Sequence, residues 1–126
     1  GSKLIVVLGH SKCGAVKGAC DHVEMGNLTE LLSKIQPAVY SENKTKENRT
    51  SKNADFVENV SEINVKRSVK SIIERSFVLE QMLEDGQIGI VGAMHDIETG
   101  MVTFYDDVMY IKDDMNPEFS VAELRH

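Results

Sequence analysis

The chain has little of what would tie it to a membrane, to nucleic acid or to a disulfide framework. Its longest uninterrupted apolar run is Leu4-Ile5-Val6-Val7-Leu8, far short of the roughly 20 residues that a membrane helix requires. No basic n-region, apolar h-region and small-residue cleavage site stand at its start, so no secretory signal is read and a cytoplasmic address is expected. The 14 basic and 20 acidic side chains leave a net charge of −6 with no basic block. That balance argues against nucleic acid as the main partner, and against an anionic membrane surface, because both need a concentrated positive face. There are only two cysteines, Cys13 and Cys20, which leaves them the roles of ligand, nucleophile or core filler. No internal repeat and no low-complexity segment is present apart from one polar stretch.

What is present reads as one α/β domain over residues 1–126, since 126 residues leave room for one core. Leu4 to Leu8 followed by Gly9 predicts a strand buried on both faces, of the kind found in parallel sheets. A glycine-punctuated turn follows, and Val16, Ala19, Cys20 and Val23 recur at helical spacing from Ala15 to Met25. A second helix is expected from Asn27 to Ile35, with Asn27 and Glu30 as a capping box and Pro37 marking its end. Residues 41–53 contain no apolar side chain and carry four basic and two acidic groups, which reads as a solvated loop.

Ala54 to Glu84 is the largest helical region, as one helix or as two with a restart at Ser76. Asp85-Gly86 ends it. Ile88 to Met94 reads as a second buried strand, and Met101 to Tyr105 alternates as an antiparallel partner would after the turn at Glu98-Thr99-Gly100. The expected fold is therefore a short, mostly parallel sheet with an antiparallel last strand and flanking helices. Beyond it, residues 107–126 read as an acidic tail containing Pro117.

One constellation carries chemistry. His10 and Cys13 stand in a His-x-x-Cys spacing at the carboxyl end of the first strand, directly before a helix, where α/β folds place ligands. Imidazole nitrogen and thiolate sulfur are both good zinc ligands, and two intervening residues let one tight turn aim both at one ion. Rival readings of this loop fail on its residues. A Walker loop needs Gly-Lys-Ser/Thr where Gly14 is followed by Ala15-Val16, and a dinucleotide fingerprint does not match the spacing of Gly9, Gly14 and Gly18. A thiol nucleophile would want an arginine close by, and the nearest in sequence is Arg49.

Lys3 to Val16 (KLIVVLGHSKCGAV) resembles the second metal-binding segment of the β-class carbonic anhydrases. Asn64 to Val69, Ser76 to Gly86 and Ile88 to Phe104 are similar to that family's later helices and last strand pair, in the same order. The resemblance implies a zinc enzyme interconverting carbon dioxide and bicarbonate, working as a homodimer or larger homo-oligomer. In that family two cysteines and one histidine hold the zinc and leave a position open for water. His10 and Cys13 match the histidine and the second cysteine.

The family's other metal segment, Cys-x-Asp-x-Arg, occurs nowhere in the 126 residues, so its cysteine and its gating aspartate-arginine pair have no matching positions. The chain thus resembles the C-terminal part of such an enzyme and is expected to be inactive alone. The alternative is a non-catalytic binding or assembly module, with a closed Cys2His2 zinc shared between two chains.

Other candidate ligands have plainer roles. Cys20 lies seven residues beyond Cys13, about two helical turns away and too far to close the same tetrahedron. His22 reads as a surface residue, His95 as structural and Asp96 as a turn residue. Asp106, Asp107, Asp113 and Asp114 fit no EF-hand spacing and read as a solvated acidic face.

Overall fold

The computed structural model describes residues 3–111, and the part of the acidic tail from residue 112 on, including Asp113, Asp114 and Pro117, lies outside them. Eight elements follow one another: β1 (Leu4–His10), α1 (Gly14–Cys20), α2 (Asn27–Ser33), α3 (Gln36–Ser41), α4 (Ala54–Arg75), α5 (Phe77–Glu84), β2 (Gly89–His95) and β3 (Val102–Tyr110). No described helix is long and apolar enough to cross a membrane. The chain gathers into two compact units. One runs up to Gly9 and resumes at Val65; the other is His10–Asn64.

The first unit is an α/β layer. Its mixed three-stranded sheet has the order β1-β2-β3, with β2 and β3 antiparallel as expected. β2 is the central strand and is buried from Gly89 through Met94. β1 departs from expectation. It is an edge strand, and burial alternates along it: Ile5 and Val7 pack on the core formed by Val69, Ile90 and Val108, while Val6 and Leu8 are exposed at 42% and 53%. An apolar run of β-branched residues marks a strand but cannot say whether it lies at the centre or the rim.

Two glycines let the carboxyl half of α4 lie close on this sheet. A Cβ added at Gly9 would sit 2.6 Å from Val65 Cγ2, and one at Gly92 would sit 2.9 Å from Val108 Cγ2 and 3.0 Å from Val65 Cγ1. The helical region from Ala54 resolves into two helices. Ser76, in extended conformation, accepts a hydrogen bond from the Leu79 N–H through its side chain and starts α5, as an N-cap serine does. α5 then closes in a Schellman pair, with Gly86 at φ +73°, Gly86 N–H donating to Leu83 O and Gln87 N–H to Met82 O.

β3 runs on to Tyr110, so residues 107–110 of the expected acidic tail are strand. The pairing skips register between Val91 and Ala93, and such an irregularity breaks the period-two pattern by which a strand is read. Asp106 and Asp107 sit on the exposed part of β3, and Asp107 forms an ion pair of 2.8 Å with Lys66.

The second unit packs α1, α2, α3 and the amino half of α4 around Val16, Ala19, Cys20, Leu32, Ala38, Val39, Phe56 and Val60. α1 stops at Cys20, earlier than its periodicity suggests, because His22 adopts φ +54° and closes a Schellman pair (His22 N–H to Ala19 O, Val23 N–H to Gly18 O). The expected capping box is not formed. Gly26 is the N-cap of α2 and Asn27 its first residue, while Thr29 Oγ1 accepts from the Met25 N–H. Pro37 starts α3 instead of marking a stop after α2. Proline suits the first helical turn because its missing N–H has no partner to lose there.

Residues 42–53 form no helix or strand, yet they are held from within. The solvated expectation fails at Glu42, which is only 3% exposed. Its carboxylate accepts from Thr45 N–H (3.0 Å), the Thr45 hydroxyl and Asn59 Nδ2 (3.2 Å), and it pairs with Arg49 Nη1 at 3.2 Å. Arg49 also donates to the carbonyls of Val39, Glu42 and Thr45 and lies 4.6 Å over the Phe56 ring.

Candidate metal turn

The turn from His10 to Cys13 belongs to the second unit. β1 ends at His10, Ser11 and Lys12 form the bend, and Cys13 is the N-cap of α1 in extended conformation (φ −66°, ψ 122°). Lys12 takes φ +56°, a left-handed conformation that costs a side chain with a Cβ roughly 1 kcal/mol. Four residues therefore suffice to turn a strand into a helix. Cys13 O accepts from Lys17 N–H at 3.0 Å, which anchors the thiol-bearing residue to the first helical turn.

His10 is exposed and Cys13 is half-buried. His10 Nδ1 lies 3.0 Å from Ser11 O. A carbonyl oxygen only accepts, so Nδ1 carries the proton and donates, which leaves the Nε2 lone pair as the ring's donor to a metal. This is the arrangement that outer-shell partners impose on metal-binding histidines. The turn offers one nitrogen and one sulfur.

The other sequence candidates do not join it. Among the described residues, no group of three or more His, Cys, Asp or Glu side chains is placed to hold a metal. Cys20 is a core residue, 1% exposed, and burial together with the negative charge of Asp21 pushes its thiol up to about 11, so it is held protonated. His22 is exposed at the end of α1, with its ring centroid 6.3 Å from that of Tyr40. Asp21, below it, accepts from Ser51 N–H at 2.7 Å and from the Ser51 hydroxyl, and these bonds hold its carboxyl below the usual carboxylate range. His95 is the last residue of β2, paired with Val102, and Asp96 accepts from Glu98 N–H at 2.9 Å as a turn residue does.

Glu42 was missed by sequence reasoning. Burial alone would raise its pKa, but the bonds from Thr45, Asn59 and Arg49 outweigh that and hold it down to about 2. The only sequence signal for this was the arginine among lysines in 41–53. Guanidinium, with its planar fork of donors, is the cation suited to a buried carboxylate.

A mixed sheet whose strand runs into a His-x-x-Cys turn and a helix defines an α/β protein with a candidate metal turn at its strand end. The family model described as carbonic anhydrase matches residues 1–102. Carbonic anhydrase 2 of Mycobacterium tuberculosis is 26% identical over 110 residues, which are 83% of this chain and 50% of that protein. Among solved structures, a tetrameric β-carbonic anhydrase of Sordaria macrospora superposes with a TM-score of 0.67 at 22% identity, covering 81% of this chain and 51% of the other. A β-carbonic anhydrase of Aspergillus fumigatus gives 0.66 at 24% identity, covering 98% and 57%. The chain belongs to the carbonic anhydrase family, and it spans about half the length of the relatives it matches.

Zinc, which that family's chemistry implies, is not accommodated in full by the described residues. Among them no group of three or more His, Cys, Asp or Glu side chains is placed to hold an ion, where a catalytic zinc needs three protein ligands and an open position.

Proposed function

We propose that this chain carries the zinc-binding turn of a carbonic anhydrase, with His10 and Cys13 as ligands, and that the 126 residues alone do not hydrate carbon dioxide. The observation that supports the ligand pair is the His10 Nδ1 hydrogen bond to Ser11 O, which commits Nε2 as the free donor beside a partly exposed thiol. The observation that supports inactivity is that, among the described residues, no group of three or more His, Cys, Asp or Glu side chains is placed to form an open catalytic site. The natural substrate pair is carbon dioxide and bicarbonate, by membership of the family. Its setting is the cytosol, where Cys13 stays a thiol. The Sordaria macrospora relatives are tetrameric, and association of this chain with further copies is part of the same proposal.

Cobalt(II) titration of the purified chain tests the pair. Thiolate ligation gives a sulfur-to-cobalt absorption band, expected in the native chain, lost in Cys13→Ser and weakened in His10→Ala. A band that survives Cys13→Ser overturns the assignment. Stopped-flow measurement with zinc added is expected to show no carbon dioxide hydration above buffer. Hydration that a chelator abolishes and zinc restores would contradict inactivity.

A further inference from the structure

Residues 42–53 lead from α3 into α4 with no helix or strand of their own, and only Glu42 among them is buried. Side-chain bonds near the two ends of such a segment decide whether it stays closed. We propose that residues 42–53 are a strap with two clasps of unequal strength. Release of the outer clasp, Asp21 to Ser51, opens the way to the buried thiol of Cys20 while the inner clasp stays shut.

The inner clasp is Glu42 with Arg49. Glu42, 3% exposed, accepts from the Thr45 N–H and hydroxyl and from Asn59 Nδ2. Arg49 pairs with it and donates to Val39 O at 2.9 Å from over the Phe56 ring. Water has little access there, and breaking the pair leaves a charge buried without its partner. The outer clasp lacks that protection. Asp21, the exposed C-cap of α1, accepts from the Ser51 N–H at 2.7 Å and from the Ser51 hydroxyl. Water readily replaces the partner of an exposed carboxylate, so these bonds hold only weakly and the strap parts there first.

The outer clasp closes on a cleft of about 430 Å³, with Cys20 to His22 on one side and Arg49 to Lys52 on the other. Cys20 lines this cleft and yet is only 1% exposed. The bonds from Ser51 to Asp21 join the two sides next to Cys20, so movement of residues 50–52 away from α1 widens the cleft at the thiol. Arg49 remains anchored to the carbonyls of Val39 and Thr45, which confines the opening to the residues beyond it. Segments held this weakly open far more often than the whole chain unfolds. With the strap closed, burial keeps the Cys20 thiol protonated and shielded; with it open, the thiol meets water and reacts.

Maleimide labelling of the 126-residue chain in a Cys13→Ser background reads the opening, because Cys20 is then its one thiol. The Cys20 sulfur adds to the maleimide double bond, forming one S–C bond, and the proton ends on the neighbouring carbon. Asp21→Ala is expected to raise the labelling rate about tenfold and Ser51→Ala about threefold, both with unchanged far-UV circular dichroism. Ser76→Ala, which loosens the first unit, is expected to leave the rate as it is. Hydrogen exchange separates the clasps. The Ser51 N–H is expected to exchange faster than the Thr45 N–H, and Asp21→Ala to speed the first and not the second. Labelling unchanged by Asp21→Ala and Ser51→Ala, or raised as much by Ser76→Ala, would mean that Cys20 is reached only by general unfolding and would overturn the proposal. Equal exchange at Ser51 and Thr45 would overturn the unequal clasps.

Discussion

The two units of the chain are held by different means. The sheet unit rests on apolar burial and close approach, with β2 sealed in the middle and Gly9 and Gly92 letting α4 lie on the strands. The unit that carries the His10–Cys13 turn has a small apolar core and adds a buried carboxylate, an arginine bound to three carbonyls, and three left-handed residues that are not glycine: Lys12, His22 and Asn48. Unfavourable backbone conformations and buried charge thus accumulate in the second unit. Such features persist only where the surroundings over-determine them.

The comparison can be broken most forcefully at the ring beneath Arg49. Phe56 is fully buried in the second unit, and Phe56→Ala is expected to cost about 4 kcal/mol in urea unfolding, more than loss of packing alone because Arg49 loses its platform. In the sheet unit the counterpart is Gly92→Val, whose side chain meets Val108 and Val65. A cost of about 3 kcal/mol is expected from overpacking, and a cost near zero would mean that α4 does not rest on the sheet as described.

Next in size is the buried charge. Glu42→Gln leaves Arg49 without its carboxylate partner and is expected to cost about 2 kcal/mol at pH 7. Acid should do the same to the native chain. The Glu42 carboxyl is held down to about 2 when folded and returns to its ordinary 4.5 when unfolded. Its stabilisation is therefore complete above about 4.5 and lost as the pH falls through 2. Native and Glu42→Gln stability curves should converge over that window, and parallel curves would show that Glu42 is not the group responsible.

These effects also mark what the sequence made legible. The β1-turn-α1 unit, the stop at Gly86 and the antiparallel β3 were readable, because each rests on a local signal: an apolar run, a left-handed glycine, an alternation; at Ser76 the sequence left one helix or two open. Which apolar strand lies at the rim was not readable, since Leu4 to Leu8 and Ile88 to Met94 both lack any polar side chain that would mark an exposed face. Pro37 has the same local chemistry whether it follows one helix or opens the next. Glu42 looks like any solvated acid until Thr45, Arg49 and Asn59 converge on it. At the His10–Cys13 turn, the passage from strand to helix was readable, whereas the bond from His10 Nδ1 to Ser11 O and the left-handed Lys12 appear only in three dimensions.

Smaller effects sharpen the contrast. Ser76→Ala removes the α5 cap and is expected to cost about 1 kcal/mol in thermal or urea unfolding. His22→Gly should go the other way. Relief of the left-handed histidine at the end of α1 is expected to stabilise the chain by roughly 0.5–1 kcal/mol, and destabilisation would show that the His22 ring outweighs its backbone cost.

The most direct test of the central claim, that His10 and Cys13 are zinc ligands, is X-ray absorption at the zinc edge of the metal-loaded chain. The account predicts sulfur near ~2.3 Å and nitrogen at about 2.0–2.1 Å in equal number, with the sulfur shell gone in Cys13→Ser. A shell of oxygen alone, or sulfur that remains in Cys13→Ser, would contradict it.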